Sequence, residues 1–314
     1  MSSAEDQALV ELGRMLRASG YRFVTPTPAT HQRVNARPSN REARSLTDVL
    51  GWSRPFRSGV VPAEIEKLLA AAGALERVGD RSRSTVRFST VDPADESDSP
   101  AIHVHSAFPT TGADAVFFGP DTYRFIQLLR RSVGPARRLV DIGAGSGAGG
   151  LALRERMQQV VLADINHAAL RHARINATLA GARAGDVEVV ESDVLAGVTG
   201  PIDVVIANPP YLADPGRRLY RDGGGALGFD LSVRIVHEAL ARLGSGGQLV
   251  LYTGSPVVAG QHPLRASLAP LLAARPCRSS WEEIDPDVFG EELDAPAYQD
   301  VERIAVVALV VHVA

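Results

Sequence analysis

Apolar residues recur at helical spacing near the start of the chain, where Leu9, Leu12 and Leu16 share one face of residues 4–17. A second such stretch, residues 61–72, opens with a proline at a helix start and continues with Ile65, Leu68 and Leu69. Two segments of alternating character follow, 84–90 and 101–108, with the acidic, Pro/Ser-rich residues 92–100 between them. That pattern predicts two strands joined by a long hairpin loop. Helices followed by a hairpin predict a small α+β or winged-helix-like domain over residues 1–109.

From about residue 136 the pattern changes. A short apolar strand (138–142) runs into a glycine-rich turn (143–150), and a helix is predicted over 151–157. Further strands are predicted at 160–163, 187–190, 202–207 and 248–252, with two more near 280–284 and 304–312. Helices are predicted at 166–180 and 230–243. Alternating strands and helices mean a parallel sheet covered on both faces. The expected fold class is α/β: a Rossmann-like, seven-stranded, mostly parallel sheet with an antiparallel final hairpin, over residues 110–314.

Composition narrows the function classes. The 314 residues carry 45% hydrophobic and 22% charged side chains, ordinary for a globular protein. No apolar run approaches the roughly 18 residues a membrane helix needs. The opening residues lack the basic and apolar regions of a signal peptide. The single cysteine, Cys277, allows no intramolecular disulfide, so a cytoplasmic location is expected. Lys67 is the only lysine, a bias that an arginine-rich, GC-rich coding sequence explains without function. The net charge of −3 disfavours a nucleic-acid partner without excluding one.

Four motifs carry candidate chemistry. Asp141, Gly143, Gly145 and Gly147 lie directly after a strand and before a helix, where glycines let the backbone turn tightly and approach a ligand. Gly145, Gly147 and Gly150 also satisfy the dinucleotide pattern, so the turn by itself suits either a nicotinamide dinucleotide or S-adenosylmethionine, or is a plain tight turn. Asp164, with Ile165 beside it, ends the second strand; it is placed to accept from ribose hydroxyls, or else to cap the next helix. Asp193, followed by Val194, ends the third strand and can accept from an adenine amino group, or is an acid of a solvated loop. The fourth strand runs straight into Asn208-Pro209-Pro210-Tyr211. Two prolines cannot continue a buried strand, because they lack N–H donors.

This constellation resembles the class I S-adenosylmethionine-dependent methyltransferases of the Asn-Pro-Pro-Tyr type, over roughly residues 115–314. The resemblance implies S-adenosylmethionine as the cofactor and methylation of a planar nitrogen: an adenine or guanine amine, or the glutamine amide of a peptide release factor. It implies that Asn208 and the Pro209 carbonyl accept the N–H groups of the target, and that Tyr211 stacks on its planar group. The segment Gly119-Pro120-Asp121-Thr122 is similar to the Pro-x-Thr segment of the release-factor glutamine methyltransferases, which implies that Pro120 and Thr122 help line the site. The run Asp222-Gly223-Gly224 looks like that family's Asp-Gly-Gly loop and is expected on the substrate side.

Two departures stand out: the predicted hairpin in the first domain, where the family has a helical bundle, and Gly119, where it has an arginine. Both departures bear against the release-factor substrate and leave the amide or amine methylation untouched; on the resemblance a protein glutamine is the first expected acceptor, a small-molecule amine or amide the second, and a nucleic-acid base the third. A non-catalytic protein that only binds S-adenosylmethionine is the alternative outside enzymes. No membrane partner and no metal site are expected. His103 and His105 share a strand face but lack further evident ligands. The acids Asp285, Asp287, Glu291, Glu292 and Asp294 form either a solvated loop or a border of the substrate mouth.

Overall fold

The computed structural model describes residues 3–92 and 99–314. The chain begins with α1 (Ala4–Ala18), whose first turn is capped by Ser3 accepting from the Asp6 N–H. There follow α2 (Pro28–Asn35), α3 (Leu46–Leu50) and α4 (Ala63–Ala71). Two antiparallel strand pairs close this part: β1 (Leu75–Val78) with β2 (Arg81–Ser84), and β3 (Val86–Val91) with β4 (Ala101–Ser106). The tight β1–β2 hairpin was not predicted. The predicted strand 84–90 divides, because Ser84 ends β2 and Val86 opens β3. All of β3 is buried, so it does not alternate. Residues 93–98 of the expected hairpin loop lie outside the described residues.

The second part holds α5 (Pro120–Ser132), β5 (Ala136–Ile142), α6 (Ala148–Ala152), β6 (Met157–Asp164) and α7 (His167–Leu179). It continues with β7 (Val187–Glu191), β8 (Val204–Ala207), α8 (Asp230–Arg242), β9 (Gln248–Val257), α9 (Pro263–Ala273), β10 (Cys277–Asp285) and β11 (Arg303–Val313). The seven strands are ordered β10-β11-β9-β8-β5-β6-β7. Strands β5 to β9 pair in parallel; β11 runs antiparallel to both β9 and β10. The order reverses between β5 and β8, which leaves a crevice at their carboxyl ends, where open α/β sheets bind ligands. This is the α/β sheet with an antiparallel end that the alternation predicts.

Side chains alternate between the two faces of the central strands. Val140, Val161 and Val205 join Ile235 of α8 and Leu264 of α9 on one side. Leu139, Val160 and Val204 join Phe125 of α5 and Leu151 of α6 on the other. Two elements differ from expectation. The helix after the glycine turn begins early and stops at Ala152, because β6 already starts at Met157. Its glycines sit hard on their neighbours: a Cβ on Gly150 would meet Leu162 at 2.6 Å. Helix α9 was missed; its sequence, with Pro263 at the start and Pro270 inside, has little polar contrast between faces.

The two parts share apolar core. Leu9, Leu12, Leu69, Phe88 and Val104 pack with Ile175 and Leu179 of α7. Gly13 permits the approach of α1, since a Cβ there would meet Leu179 at 2.7 Å. Polar contacts add direction: Arg171 donates to Asp6 at 2.6 Å, and the Asn176 amide exchanges hydrogen bonds with the Val104 backbone at 2.8 and 3.0 Å. Among the described residues, no helix is long and apolar enough to cross a membrane.

Candidate active site

A cavity of about 380 Å³ opens at the carboxyl ends of β5, β6 and β8. That volume lies within the range of small-molecule and cofactor sites. The glycine turn forms its floor. Gly143 and Gly145 have φ of +65° and +55°, and a Cβ on either would meet nothing within 4 Å, so open space lies above both. Gly147 differs. Its φ is +78°, but a Cβ there would strike Leu162 at 2.9 Å, and it does not line the cavity. Gly147 packs against the sheet and does not face the cavity, which differs from its expected place beside the cofactor.

Both carboxylates of the first two motifs line the cavity and brace the turn from behind. Asp141 is 2% exposed and accepts from the Gly150 N–H at 2.8 Å. Burial raises its carboxyl to about 7, against the lowering effect of that hydrogen bond. Asp164 accepts from Gly145 N–H and Asn166 N–H, each at 2.8 Å. Burial raises it too, opposed by these bonds. Asp164 is not the helix cap; Asn166 is, accepting from the Ala168 N–H at 2.9 Å. A carboxylate has about four acceptor sites, so Asp164 retains capacity for a ligand. Ile165, 54% exposed, lies on the cavity wall.

Asp193 and Val194 also line the cavity. Val194 is held at φ +53°. The Asp193 carboxylate is already engaged, accepting both Arg234 nitrogens at 2.8 and 2.9 Å. Any role toward a ligand is shared with that fork.

Asn208, Pro209, Pro210 and Tyr211 line the same cavity, where β8 ends. Among the described residues the Asn208 side chain makes no hydrogen bond, so its amide oxygen is available. Tyr211 does not present an open stacking face, contrary to expectation. It is 6% exposed, its hydroxyl donates to Asp121 at 2.7 Å, and its ring covers Gly254 so closely that a Cβ there would lie 2.2 Å away.

The Pro-x-Thr and Asp-Gly-Gly segments are also corrected in part. Pro120 opens α5 and does not line the cavity; Thr122 does, and its hydroxyl accepts from the Gly119 N–H at 3.3 Å. Asp222, Gly223 and Gly224 lie outside the lining. Gly223 packs beneath the proline pair, where a Cβ would sit 2.7 Å from the Pro210 carbonyl oxygen. The cavity is lined instead by the residues just before them, Arg218 to Arg221.

Those residues form part of a roof. Leu219 N–H donates to the Ala113 carbonyl at 3.1 Å, and Tyr220 hydroxyl to the Thr110 carbonyl at 2.6 Å. Asp214, buried, holds Arg218, and Arg221 reaches Glu292. The acidic loop therefore borders the mouth, and its Phe289 lines the cavity. Asp285 pairs with Arg124 at 2.9 Å. Pro28, Phe108 and Pro109 bring the first part of the chain to the same wall. No sequence signal pointed to these, nor to Asp121, although Asp121 stands inside a noted motif. His103 and His105 both pack on the Phe118 ring, and His105 bonds Ser89 at 2.7 Å. Among the described residues no group of three or more His, Cys, Asp or Glu side chains is placed to hold a metal.

Comparison with known proteins agrees with this geometry. Residues 120–267 match the methyltransferase small domain family. The release factor glutamine methyltransferase of Deinococcus radiodurans is 35% identical over 203 residues, 58% of this chain and 66% of that protein. The ribosomal RNA small subunit methyltransferase C of Chromohalobacter salexigens is 33% identical over 132 residues, 41% of this chain and 36% of that one. A solved structure, the T. thermophilus 16S rRNA N2 G1207 methyltransferase in complex with AdoMet and guanosine, aligns with a TM-score of 0.48 and 18% identity, covering 79% of this chain and 62% of that one. The chain spans between 51% and 66% of the length of the first three release factor glutamine methyltransferases it matches. Residues 120–267 thus match the methyltransferase small domain family, and the chain resembles the class I S-adenosylmethionine-dependent methyltransferases, the release factor glutamine methyltransferases among them.

Proposed function

We propose that this chain transfers a methyl group from S-adenosylmethionine to a planar nitrogen, and that the acceptor is the side-chain amide of a protein glutamine. One observation carries the reading: the Asn208 motif shares a single cavity with the glycine turn and Asp164. The cavity fits the cofactor in volume, in the uncovered floor at Gly143 and Gly145, and in its carboxylates. When bound, S-adenosylmethionine supplies an electrophilic methyl on a positively charged sulfur.

The protein's task is positioning. An amide nitrogen is a poor nucleophile because its lone pair is delocalised, so aim and exclusion of water matter more than a strong base. Asn208 Oδ1 and the Pro209 carbonyl each accept one N–H of the target. Together they direct the nitrogen and favour the positive charge that builds on it. The prolines hold the two acceptors on a stiff backbone. The glutamine acceptor is supported by the release factor glutamine methyltransferases among the relatives.

A second reading, a base in RNA, has one observation in its favour. Arg33, Arg37, Arg41 and Arg44 are exposed and, among the described residues, form no ion pair, along a segment that begins at Pro28 of the cavity wall. Labelled-methyl transfer from the cofactor into a fractionated lysate separates the two. The expected result is label in a protein, recovered as methylglutamine after digestion. Label confined to RNA or to small molecules overturns the glutamine acceptor.

The raised Asp141 carboxyl gives a pH prediction. Its folded pKa of about 7 lies above the ordinary 3.8, so its contribution to stability is present below about pH 4 and is lost as pH rises through 7. A sulfonium in the cavity favours the ionised form. Cofactor binding therefore releases protons between about pH 6 and 7, and affinity rises with pH across that window. Calorimetry in two buffers of different ionisation enthalpy measures the release. Asp141→Asn is expected to abolish it, and buffer-independent heats in the unmodified protein would contradict the assignment.

A further inference from the structure

We infer that Asp121 is the positioning residue of the acceptor site, acting through Tyr211 to hold Asn208 and Pro209 in place. The inference rests on the reading of Asn208 as the group that receives the target nitrogen.

Asp121 is the second residue of α5, 8% exposed, where the helix N-terminus favours a carboxylate. Its Oδ2 accepts the Tyr211 hydroxyl at 2.7 Å and its Oδ1 the Tyr252 hydroxyl at 2.8 Å. Arg124, one turn along, lies 3.3 Å from the same Oδ1 and extends to Asp285 at 2.9 Å. One buried carboxylate therefore ties together the start of α5, the strand β9 and the Asn-Pro-Pro-Tyr segment. Hydrogen bonds to a charged acceptor are stronger than neutral ones, and each oxygen here has its own phenol donor.

Tyr211 is held on three sides. Gly254 leaves room for its ring, Phe289 meets it edge-on at 6.0 Å between centroids, and Asp121 takes its hydroxyl. Beyond it, the Leu212 N–H donates to the Arg221 carbonyl at 3.1 Å and the Ala213 N–H to the Tyr298 hydroxyl at 2.8 Å. Before it stand only the two prolines, whose fixed φ leaves little slack. The Pro209 carbonyl and the Asn208 side chain are thus set by where the Tyr211 ring is anchored. A displacement near 1 Å at a reacting group costs as much as about a hundredfold in rate, so the anchor matters to catalysis although it does not touch the nitrogen.

The test uses the full chain with Asp121→Asn, Tyr211→Phe, their double variant, and Tyr252→Phe. Asparagine keeps the shape but removes the charge and turns one accepting atom into a donor, so the bonds to the two phenols weaken and one phenol must reverse its role. Amide hydrogen exchange at Leu212 and Ala213, without ligand, is expected to quicken about tenfold in Asp121→Asn and in Tyr211→Phe, the scale of one lost hydrogen bond to a charged group. Exchange at α9 is expected to stay unchanged. On the methylated acceptor, kcat should fall by about ten- to a hundredfold with cofactor affinity retained. The double variant should be no worse than the worse single, because both changes cut one link. Tyr252→Phe combined with Tyr211→Phe should instead multiply. Unchanged exchange at Leu212 and Ala213, or multiplicative losses for Asp121→Asn with Tyr211→Phe, overturns the inference. Should the wild-type chain methylate no glutamine, the acceptor reading fails while the exchange rates still decide the role of Asp121.

Discussion

Replacing Asn208 by alanine is expected to lower turnover by roughly a hundredfold or more while leaving cofactor affinity near its original value. The side chain stands at the mouth of β8, on the cavity wall, with its amide oxygen unengaged among the described residues. Removing one preorganised polar contact that strengthens as charge develops costs about 2.7–4 kcal/mol of transition-state stabilisation. The turn proposed to hold the cofactor is braced by Asp141 of β5 and Asp164 of β6, and Asn208→Ala leaves those contacts intact. The loss should therefore appear in kcat, with calorimetric cofactor binding as the control. Asn208→Asp is expected to recover part of the rate, because it retains an accepting oxygen. Wild-type turnover in Asn208→Ala at saturating cofactor would remove Asn208 from the mechanism.

Gly223→Ala is expected to be the most disruptive single methyl in the acceptor half of the site. A Cβ at this position would lie 1.8 Å from the Gly228 carbonyl oxygen and 2.7 Å from that of Pro210. Both are backbone atoms, so no side chain can swing away. Gly223 also donates to the Leu212 carbonyl and accepts from the Leu231 N–H, each at 2.9 Å, which links the proline pair to the start of α8. Overpacking of this kind costs about 1–3 kcal/mol or more, and the backbone shift falls on Pro210. The expected result is a melting temperature lower by several degrees, of the order of 2–4 °C per kcal/mol for a chain of this size, with turnover reduced at least about tenfold. Gly224→Ala is the comparison: its φ is +76°, but its Cβ would meet only Asp230 at 3.6 Å. A milder effect is expected there. If Gly224→Ala instead raised the acceptor KM while Gly223→Ala were neutral, the glycine loop would be a substrate contact after all.

The central strands and the glycine turn were legible because their signals are local. Continuous apolar runs such as Val204 to Ala207 mark strands buried on both faces, and the positive φ at Gly143 and Gly145 needs residues without a side chain. The Asn208 motif was legible for the same reason, since two prolines ending a strand restrict their own backbone. Helix α9 was not, because its apolar residues surround two prolines with little polar contrast. The β1–β2 hairpin was hidden by charge: Glu76, Arg77, Arg81 and Arg83 lie on exposed or half-exposed strands, with no alternation to read.

Contacts between distant segments left no trace in the local pattern. Asp121 meets Tyr211 across 90 residues of sequence and Tyr252 across 131. The roof joins Tyr220 to Thr110, 110 residues away. Periodicity and turn chemistry describe a residue against its neighbours within a few positions, and neither can pair segments that far apart. For the same reason the motifs identified the right loops but not always the right residues. Asp121 lines the cavity in place of Pro120, and Arg218 to Arg221 in place of Asp222 to Gly224. By itself the sequence determined the central strands, the glycine turn after β5 and the rigid Asn208 motif, because backbone sterics and hydrogen bonding decide these within a few residues. Only the tertiary structure decided which side chains face the cavity, because that follows from sheet order and from how α5, the roof and the first hundred residues pack against the carboxyl ends of the strands.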